Sequence, residues 1–319
     1  MAGAGMTGVT GFNRRGVLAV VASSAALALA GCATRNSAER RPALTMERQI
    51  LTDQDGGETE LIVWSPPDPR GVVLFSADAG SRPERYRRTI ERLAGIGLAV
   101  AAPLHDNGFG ALGAGAGAGG NVGSGVVEER SLARRVAGLA LGAAFASTRF
   151  AGLPLLAMGH GLGGLAALAF GREQSGPEVR GVLTLSAADL QHKLVSEDLA
   201  DGRDVPLLMV AGNGERGAAA ADSRDGDDDE GADAAPRPAD EDKADELLTA
   251  ANGNAHSYAL VLEDVDENFV DQPEVVERAW PVVELFVQSE LLNGATAGDV
   301  LENWQADGND RFVARPASD

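Results

Sequence analysis

The chain has 319 residues, 44% of them hydrophobic, with a formal net charge of −20 and a single cysteine. That length suits one large domain with a real core. So acidic a surface repels nucleic acid and anionic head groups, and no basic stripe offsets it, so no nucleic-acid partner is expected. One cysteine excludes an intrachain disulfide.

Asn13-Arg14-Arg15-Gly16 is a short basic region, followed from Val17 to Ala30 by apolar and small residues without charge. This run is too short for a bilayer core, which needs roughly 20 helical residues. It fits the core of a secretory leader. It ends in Leu29-Ala30-Gly31-Cys32, which resembles the bacterial lipobox, where the cysteine becomes the lipidated first residue of the mature chain. The Arg-Arg pair also resembles a twin-arginine export signal. Residues 1–31 are therefore expected to be a lipoprotein signal peptide and Cys32 a lipid anchor to the cell envelope, with the membrane as partner. An uncleaved anchor is the bland alternative. Removing Arg14 and Arg15 with the leader makes the chain two charges more negative. Ala33 and Thr34 lack the aspartate that resembles an inner-membrane retention signal, which leans the expectation towards the outer membrane. Residues 32–46 are polar and small and read as a tether.

Beyond the tether, short apolar runs alternate with amphipathic segments. Thr59–Trp64 and Gly71–Ser76 read as strands, and Pro83–Gly95 as a helix with proline in its first turn. Leu98–Pro103 is the next strand and Val127–Arg149 a long helix. Pro154–Met158 is a strand that runs into Gly159-His160-Gly161-Leu162-Gly163-Gly164 and then the apolar helix Leu165–Phe170. Val179–Ser186, Val205–Val210 and Ser257–Leu262 read as further strands, the last of these closing the series. Gln272–Leu292 reads as a helix, kinked at Pro281. This alternation predicts an α/β fold: a mostly parallel central sheet with helices on both faces. The domain is expected to span 47–292, with 293–319 a C-terminal tail.

Two stretches interrupt the pattern. Residues 108–125 are almost all Gly and Ala and read as a loop. Gly115, Gly117 and Gly120 have dinucleotide-fingerprint spacing, but no strand leads into them, so no nucleotide cofactor is expected. Residues 216–250 read as an acidic disordered insert, because 222–246 hold twelve acids, three bases and no large apolar residue. Asp225, Asp227 and Asp229 begin a calcium-loop spacing, but Glu230 and Pro236 stand where such a loop needs glycine and glutamate. No metal site is expected here.

Residues 59–292 resemble the α/β-hydrolase superfamily, and within it the dienelactone-hydrolase and esterase-like branch. Gly71–Gly80 with Arg82–Pro103 resembles the opening strand, oxyanion loop, helix and strand. Leu155–Phe170 resembles the nucleophile elbow, and Val205–Glu215 with Ser257–Asp271 the acid- and histidine-bearing strand ends. The elbow pattern is G-x-S-x-G. Here Gly159, His160, Gly161, Leu162 and Gly163 match its frame, with Gly161 in the nucleophile's place. Glycine has no side-chain oxygen and forms no acyl-enzyme.

The resemblance implies further departures. Glu267 falls where the general-base histidine belongs. Glu215 falls at the orienting acid, with no histidine to orient. The oxyanion loop reads Ala77-Asp78, placing a carboxylate where negative charge should be stabilised. Of the other histidines, His160 reads as structural, His105 as a pocket-rim residue, and His192 and His256 as loop or surface residues. Ser76, Ser81 and Ser124 are the nearest serines, none in a known nucleophile context. Asp78, Glu215, Glu267 and His105 in one pocket would form a metal-binding or water-activating cluster. The bland reading, solvated loop acids, is preferred, and no cofactor is expected. The functional expectation is an envelope lipoprotein without serine-hydrolase activity that binds a small-molecule or protein ligand. The alternative is an active ester or lactone hydrolase with a relocated nucleophile or water-activating cluster.

Overall fold

The strands at the centre of this protein are buried along their whole length. Gly71–Ser76 (β3), Leu98–Pro103 (β4), Leu155–His160 (β5), Val182–Leu185 (β6), Leu207–Gly212 (β7) and Ser257–Leu262 (β8) have no exposed position. A strand covered on both faces reads as a continuous apolar run rather than an alternation. The computed structural model describes residues 43–105, 124–173, 178–187, 204–213, 256–265 and 272–315.

The described strands form one nine-stranded sheet of order β1-β2-β4-β3-β5-β6-β7-β8-β9. Glu58–Ser65 (β2) pairs antiparallel with β4, and the pairs from β4 through β8 are all parallel. Two edge strands lie outside the expected set. Thr45–Thr52 (β1) pairs antiparallel with β2, and Arg311–Arg315 (β9) pairs antiparallel with β8. The sheet therefore begins within the stretch read as a tether, and Ser257–Leu262 is not its last strand. The stretch 293–319 is corrected likewise: it carries the helix Ala295–Glu302 (α5) and β9. Both edges were hard to read for one reason. Only Leu51 of β1 is buried, and no residue of β9 is fully buried, so neither strand shows a clean apolar run.

Helices cover both faces, as the alternation predicted. On one face Arg87–Gly95 (α1), Pro273–Phe286 (α4) and α5 pack Ile90, Leu93, Val282, Phe286 and Leu301 against Val73, Phe75, Met158, Leu208 and Leu260. On the other, Ser124–Arg149 (α2) and Leu162–Arg172 (α3) pack Leu139, Ala143, Ala166 and Phe170 against Leu74, Ala101, Ala157 and Met209. Each large side chain buried this way stabilises the fold by roughly 1.5–3 kcal/mol.

Local detail differs from expectation at several ends. The segment Pro83–Gly95 divides into a 3-10 turn, Pro83–Tyr86, and α1. Strand β5 runs to His160, two residues further than predicted, and α3 starts at Leu162, so Gly161 alone joins them. The C-terminal helix passes through Pro281 and ends in a π turn, Val287–Leu291.

Candidate functional site

The β5–α3 junction is where the sheet's parallel strands present their C-terminal ends, the place where open α/β sheets build sites. Gly161 has φ 54° and ψ −125°, a left-handed backbone that suits glycine. Its N–H donates to Leu185 O at 2.9 Å, and its carbonyl accepts from the Gly164 and Leu165 N–H groups at 2.9 and 3.2 Å. The flanking glycines are required by close approach. A Cβ on Gly159 would stand 2.1 Å from Gly163 O, and one on Gly163 would stand 2.1 Å from Ser76 O. The glycines let β5, α3 and the end of β3 pack backbone on backbone.

Asp78 fills the space above Gly161. Its Oδ1 accepts the Leu162 N–H at 2.9 Å. A Cβ built on Gly161 would lie 2.1 Å from the same oxygen. The carboxylate thus occupies the first-turn amide of α3 and the volume that a side chain at 161 would need. The geometry is favourable for the carboxylate, because helix N-termini bind negative charge.

Three side chains hold Asp78 in place from behind. The Asp78 N–H donates to Tyr86 Oη at 3.1 Å. The Tyr86 hydroxyl and His160 Nδ1 share a hydrogen bond of 2.9 Å, its direction set by the imidazole tautomer. Tyr86 and His160 are both buried, and burial raises the Tyr86 pKa, keeping the phenol protonated. His160 is thereby a buried partner of Tyr86. From the α2 side, Arg135 Nη1 donates to Ala77 O at 2.5 Å. The Arg135 side chain is 3% exposed. Burial lowers its pKa, and the neighbouring Asp78 carboxylate opposes that shift.

A Ser–His pair lies on the far side of this network. Ser76 Oγ and His105 Nε2 share a hydrogen bond of 2.8 Å, its direction set by the imidazole tautomer. Ser76 is wholly buried. Burial, helped by the charge of Arg135, drops the His105 pKa to about 3. The ring packs against α2, where a Cβ on Gly138 would sit 3.1 Å from its Cε1. A histidine that resists protonation is a poor proton acceptor at neutral pH, and a serine closed from solvent meets no substrate.

The strand ends beyond the elbow are cross-braced. The Asn213 side chain, after β7, donates to Glu263 and accepts the Asp264 N–H at 2.9 Å. Asp264 has φ 56°. Ser186, after β6, has φ 38°, and its buried Oγ has no hydrogen-bond partner among the described residues. Glu215, Glu267, His192 and Cys32 lie outside the described residues, as do the Gly/Ala-rich loop at 108–123 and the insert at 216–250. Ser81 accepts from Arg85 at 3.2 Å. His256 lies at the start of β8, 3.8 Å from Glu302. Among the described residues no cluster of His, Cys, Asp or Glu is arranged to hold a metal ion. No described helix is long and apolar enough to cross a membrane.

Two site residues escaped the sequence reading. Tyr86 sits in a polar run, Arg82–Arg88, that gives no hint of a buried hydroxyl. Arg135 did leave a signal: with Leu139, Ala143 and Ala146 it follows the helical period of the buried stripe of α2. A cation on such a stripe calls for a nearby negative charge.

No protein-family model matches the chain, and no curated protein sequence matches it. Solved structures do. A cold-adapted esterase from an Arctic intertidal metagenomic library aligns at 16% identity and a TM-score of 0.53, over 82% of this chain and 100% of that one. A dienelactone hydrolase from Anabaena variabilis aligns at 14% identity and a TM-score of 0.47, over 76% and 99%. An alpha-beta serine hydrolase homologue from Coxiella burnetii aligns at 12% identity and a TM-score of 0.48, over 76% and 96%. The likeness to the esterase, with the nine-stranded sheet and its two helical layers, shows the α/β-hydrolase fold.

Proposed function

We propose that this protein is an envelope lipoprotein that keeps the α/β-hydrolase scaffold, lacks serine-hydrolase activity, and acts by binding a ligand or partner. One observation carries the reading: the Asp78 carboxylate accepts the Leu162 N–H and stands where a nucleophile's side chain would begin. A tetrahedral intermediate needs that amide for its own oxyanion. An internal carboxylate bound there competes for the donor and repels the developing charge. The elbow is thus deprived of its nucleophile by Gly161 and of its oxyanion donor by Asp78. Fold alone leaves function open; these two residues supply the argument.

The Ser76–His105 hydrogen bond is the observation that favours an active hydrolase with a relocated nucleophile. The burial of Ser76 and the depressed basicity of His105 weigh against that reading. Envelope location rests on the basic, apolar and small run before Cys32 and on that cysteine being the single one.

The experiment is covalent labelling of the purified protein with a fluorophosphonate, beside turnover of short-chain esters and lactones. The proposal expects no labelling above a heat-denatured control and no turnover above buffer. Labelling or turnover abolished by Ser76→Ala would overturn it. The anchor is tested separately by mass analysis of the membrane-extracted chain, which should carry lipid on Cys32 and lose it in Cys32→Ala.

A further inference from the structure

The two edges of the sheet are guarded differently. Strand β9 is five residues long and carries an arginine at each end. Strand β1 is eight residues long, has no proline, glycine or lysine, and pairs with β2 from Thr45 to Thr52 without a bulge. Short edges, prolines, bulges and charges keep further strands away, and β1 has only its two charges. Both are engaged within the chain. Arg48 binds Glu60 and Glu84 at 2.6 and 2.7 Å, and Glu47 lies 3.8 Å from Arg149.

The register of β1 decides which of its backbone groups face outward. The Asp53 N–H donates to Gly57 O at 2.9 Å, one rung beyond the ladder. Antiparallel rungs alternate between bonded and open. The odd residues of β1 therefore bond β2, and Met46, Arg48 and Ile50 turn their N–H and C=O groups to the open edge. No described strand lies beyond them. Their side chains share one face. Among the described residues three large apolar side chains are exposed, and two of them are Met46, at 38%, and Ile50, at 53%.

We propose that β1 is an interface for a second copy of this chain: the two β1 strands pair antiparallel about a two-fold axis at Arg48 and join both sheets into one. Such a contact is self-complementary. With the axis at Arg48, Met46 of each chain lies opposite the partner's Ile50, and the outward backbone groups of Met46, Arg48 and Ile50 all find partners. On the other face Glu47 meets the partner's Gln49, a carboxylate against an amide donor. An axis at Glu47 would set two carboxylates directly opposite, which is unfavourable. An axis at Gln49 would set Met46 against Thr52 and Ile50 against Arg48. Of these registers, the one at Arg48 matches apolar with apolar. The two arginines that meet on its axis are each offset by Glu60 and Glu84 of their own chain. This pairing is independent of what the elbow binds.

Sedimentation of the purified chain tests the interface. The mass should move from monomer towards dimer across about 1 μM to 1 mM and stop at two chains, because a two-fold contact closes on itself. Ile50→Lys, at an exposed position, should fold with the native circular dichroism and weaken the dimer at least about tenfold. Met46→Lys is the second variant and should do the same. The register is read in a Cys32→Ser background, which has no other thiol. Residues opposite one another in a bonded rung have Cα atoms about 5.5 Å apart, within reach of a disulfide. An oxidised mixture of Met46→Cys and Ile50→Cys chains should therefore form linked dimers, and either chain alone should not. A monomer mass at the highest concentration would overturn the proposal and leave the edge to another occupant, such as an extended peptide. A dimer indifferent to both lysine variants would place the contact elsewhere and overturn it too. So would a mixture that links no better than either chain alone.

Discussion

Asp78 Oδ1 lies 2.1 Å from the point where a Cβ on Gly161 would stand, and the same oxygen accepts the Leu162 N–H at 2.9 Å. The two residues therefore fit each other. The carboxylate can bind in the elbow because the residue beneath it has no side chain, and a side chain can return only if the carboxylate leaves. The glycine at 161 and the carboxylate at 78, separate features of the sequence, are one arrangement in space.

Asp78→Asn separates shape from charge. The amide oxygen can still accept the Leu162 N–H, while the negative charge at the helix terminus is gone. A loss of about 1–2 kcal/mol in urea unfolding is expected, the difference between a charged and a neutral acceptor. Asp78→Ala should lose more. Equal stability of all three chains would show that the carboxylate does not support the fold.

His105 gives the protein an acid-sensitive element. Its folded pKa is about 3, below the unfolded value near 6.5. Between those values the unfolded chain binds a proton that the folded chain refuses. Stability is fully present above about pH 6.5 and falls as pH drops towards 3, with a slope of up to about 1.4 kcal/mol per pH unit from this residue. Carboxylates add their own acid losses, so the comparison is with His105→Gln, which should show a shallower decline between pH 6.5 and 4.5. Parallel profiles for the two chains would refute the assignment.

Ser186 stores avoidable strain. It holds φ 38°, and its buried Oγ lacks a partner among the described residues. Ser186→Gly relieves both and should stabilise the protein by about 1 kcal/mol, part of the gain being offset by the greater freedom of glycine in the unfolded chain. A raised urea midpoint with an unchanged slope is the expected result. A lowered midpoint would mean that the serine makes a contact worth more than its strain.

The C-terminal residues are part of the domain. Leu301 is wholly buried, Trp304 meets the Phe312 ring edge-on with centroids 5.0 Å apart, and β9 covers the edge of β8. A chain ended after Gly294 loses all three. The burial of Leu301 alone contributes roughly 1.5–3 kcal/mol, so the shortened chain should unfold at a distinctly lower temperature. An unchanged Tm would place these residues outside the cooperative unit.

The sequence revealed the middle of the sheet better than its edges. Runs such as Gly71–Ser76 and Leu207–Gly212 announce themselves because both faces are buried, whereas β1 and β9 each have neighbours on one side only and carry polar residues among the apolar ones. At the site, the glycine frame was legible because Gly159, Gly161 and Gly163 lie within five residues of one another, although Gly163 is fixed by the distant Ser76 backbone. The place of the Asp78 carboxylate was not legible, since it depends on a contact between residues 84 positions apart. Ala77-Asp78, read in the sequence as a spoiled oxyanion loop, gives no sign there of the buried groups behind it. Tyr86 bonds the Asp78 N–H, Arg135 the Ala77 carbonyl and His160 the Tyr86 hydroxyl, a convergence of three separate elements that only the folded chain displays.

A double-mutant cycle on Gly161 and Asp78 tests the central claim most directly. Gly161→Ser should destabilise the native chain severely, through backbone strain of about 1–3 kcal/mol and collision with the carboxylate. In the Asp78→Ala background only the strain remains, so the same substitution should be milder, with a coupling of at least about 1 kcal/mol in urea unfolding. Additivity within about 0.3–0.5 kcal/mol would contradict the account, because it would mean that Asp78 does not stand where a side chain at 161 would be.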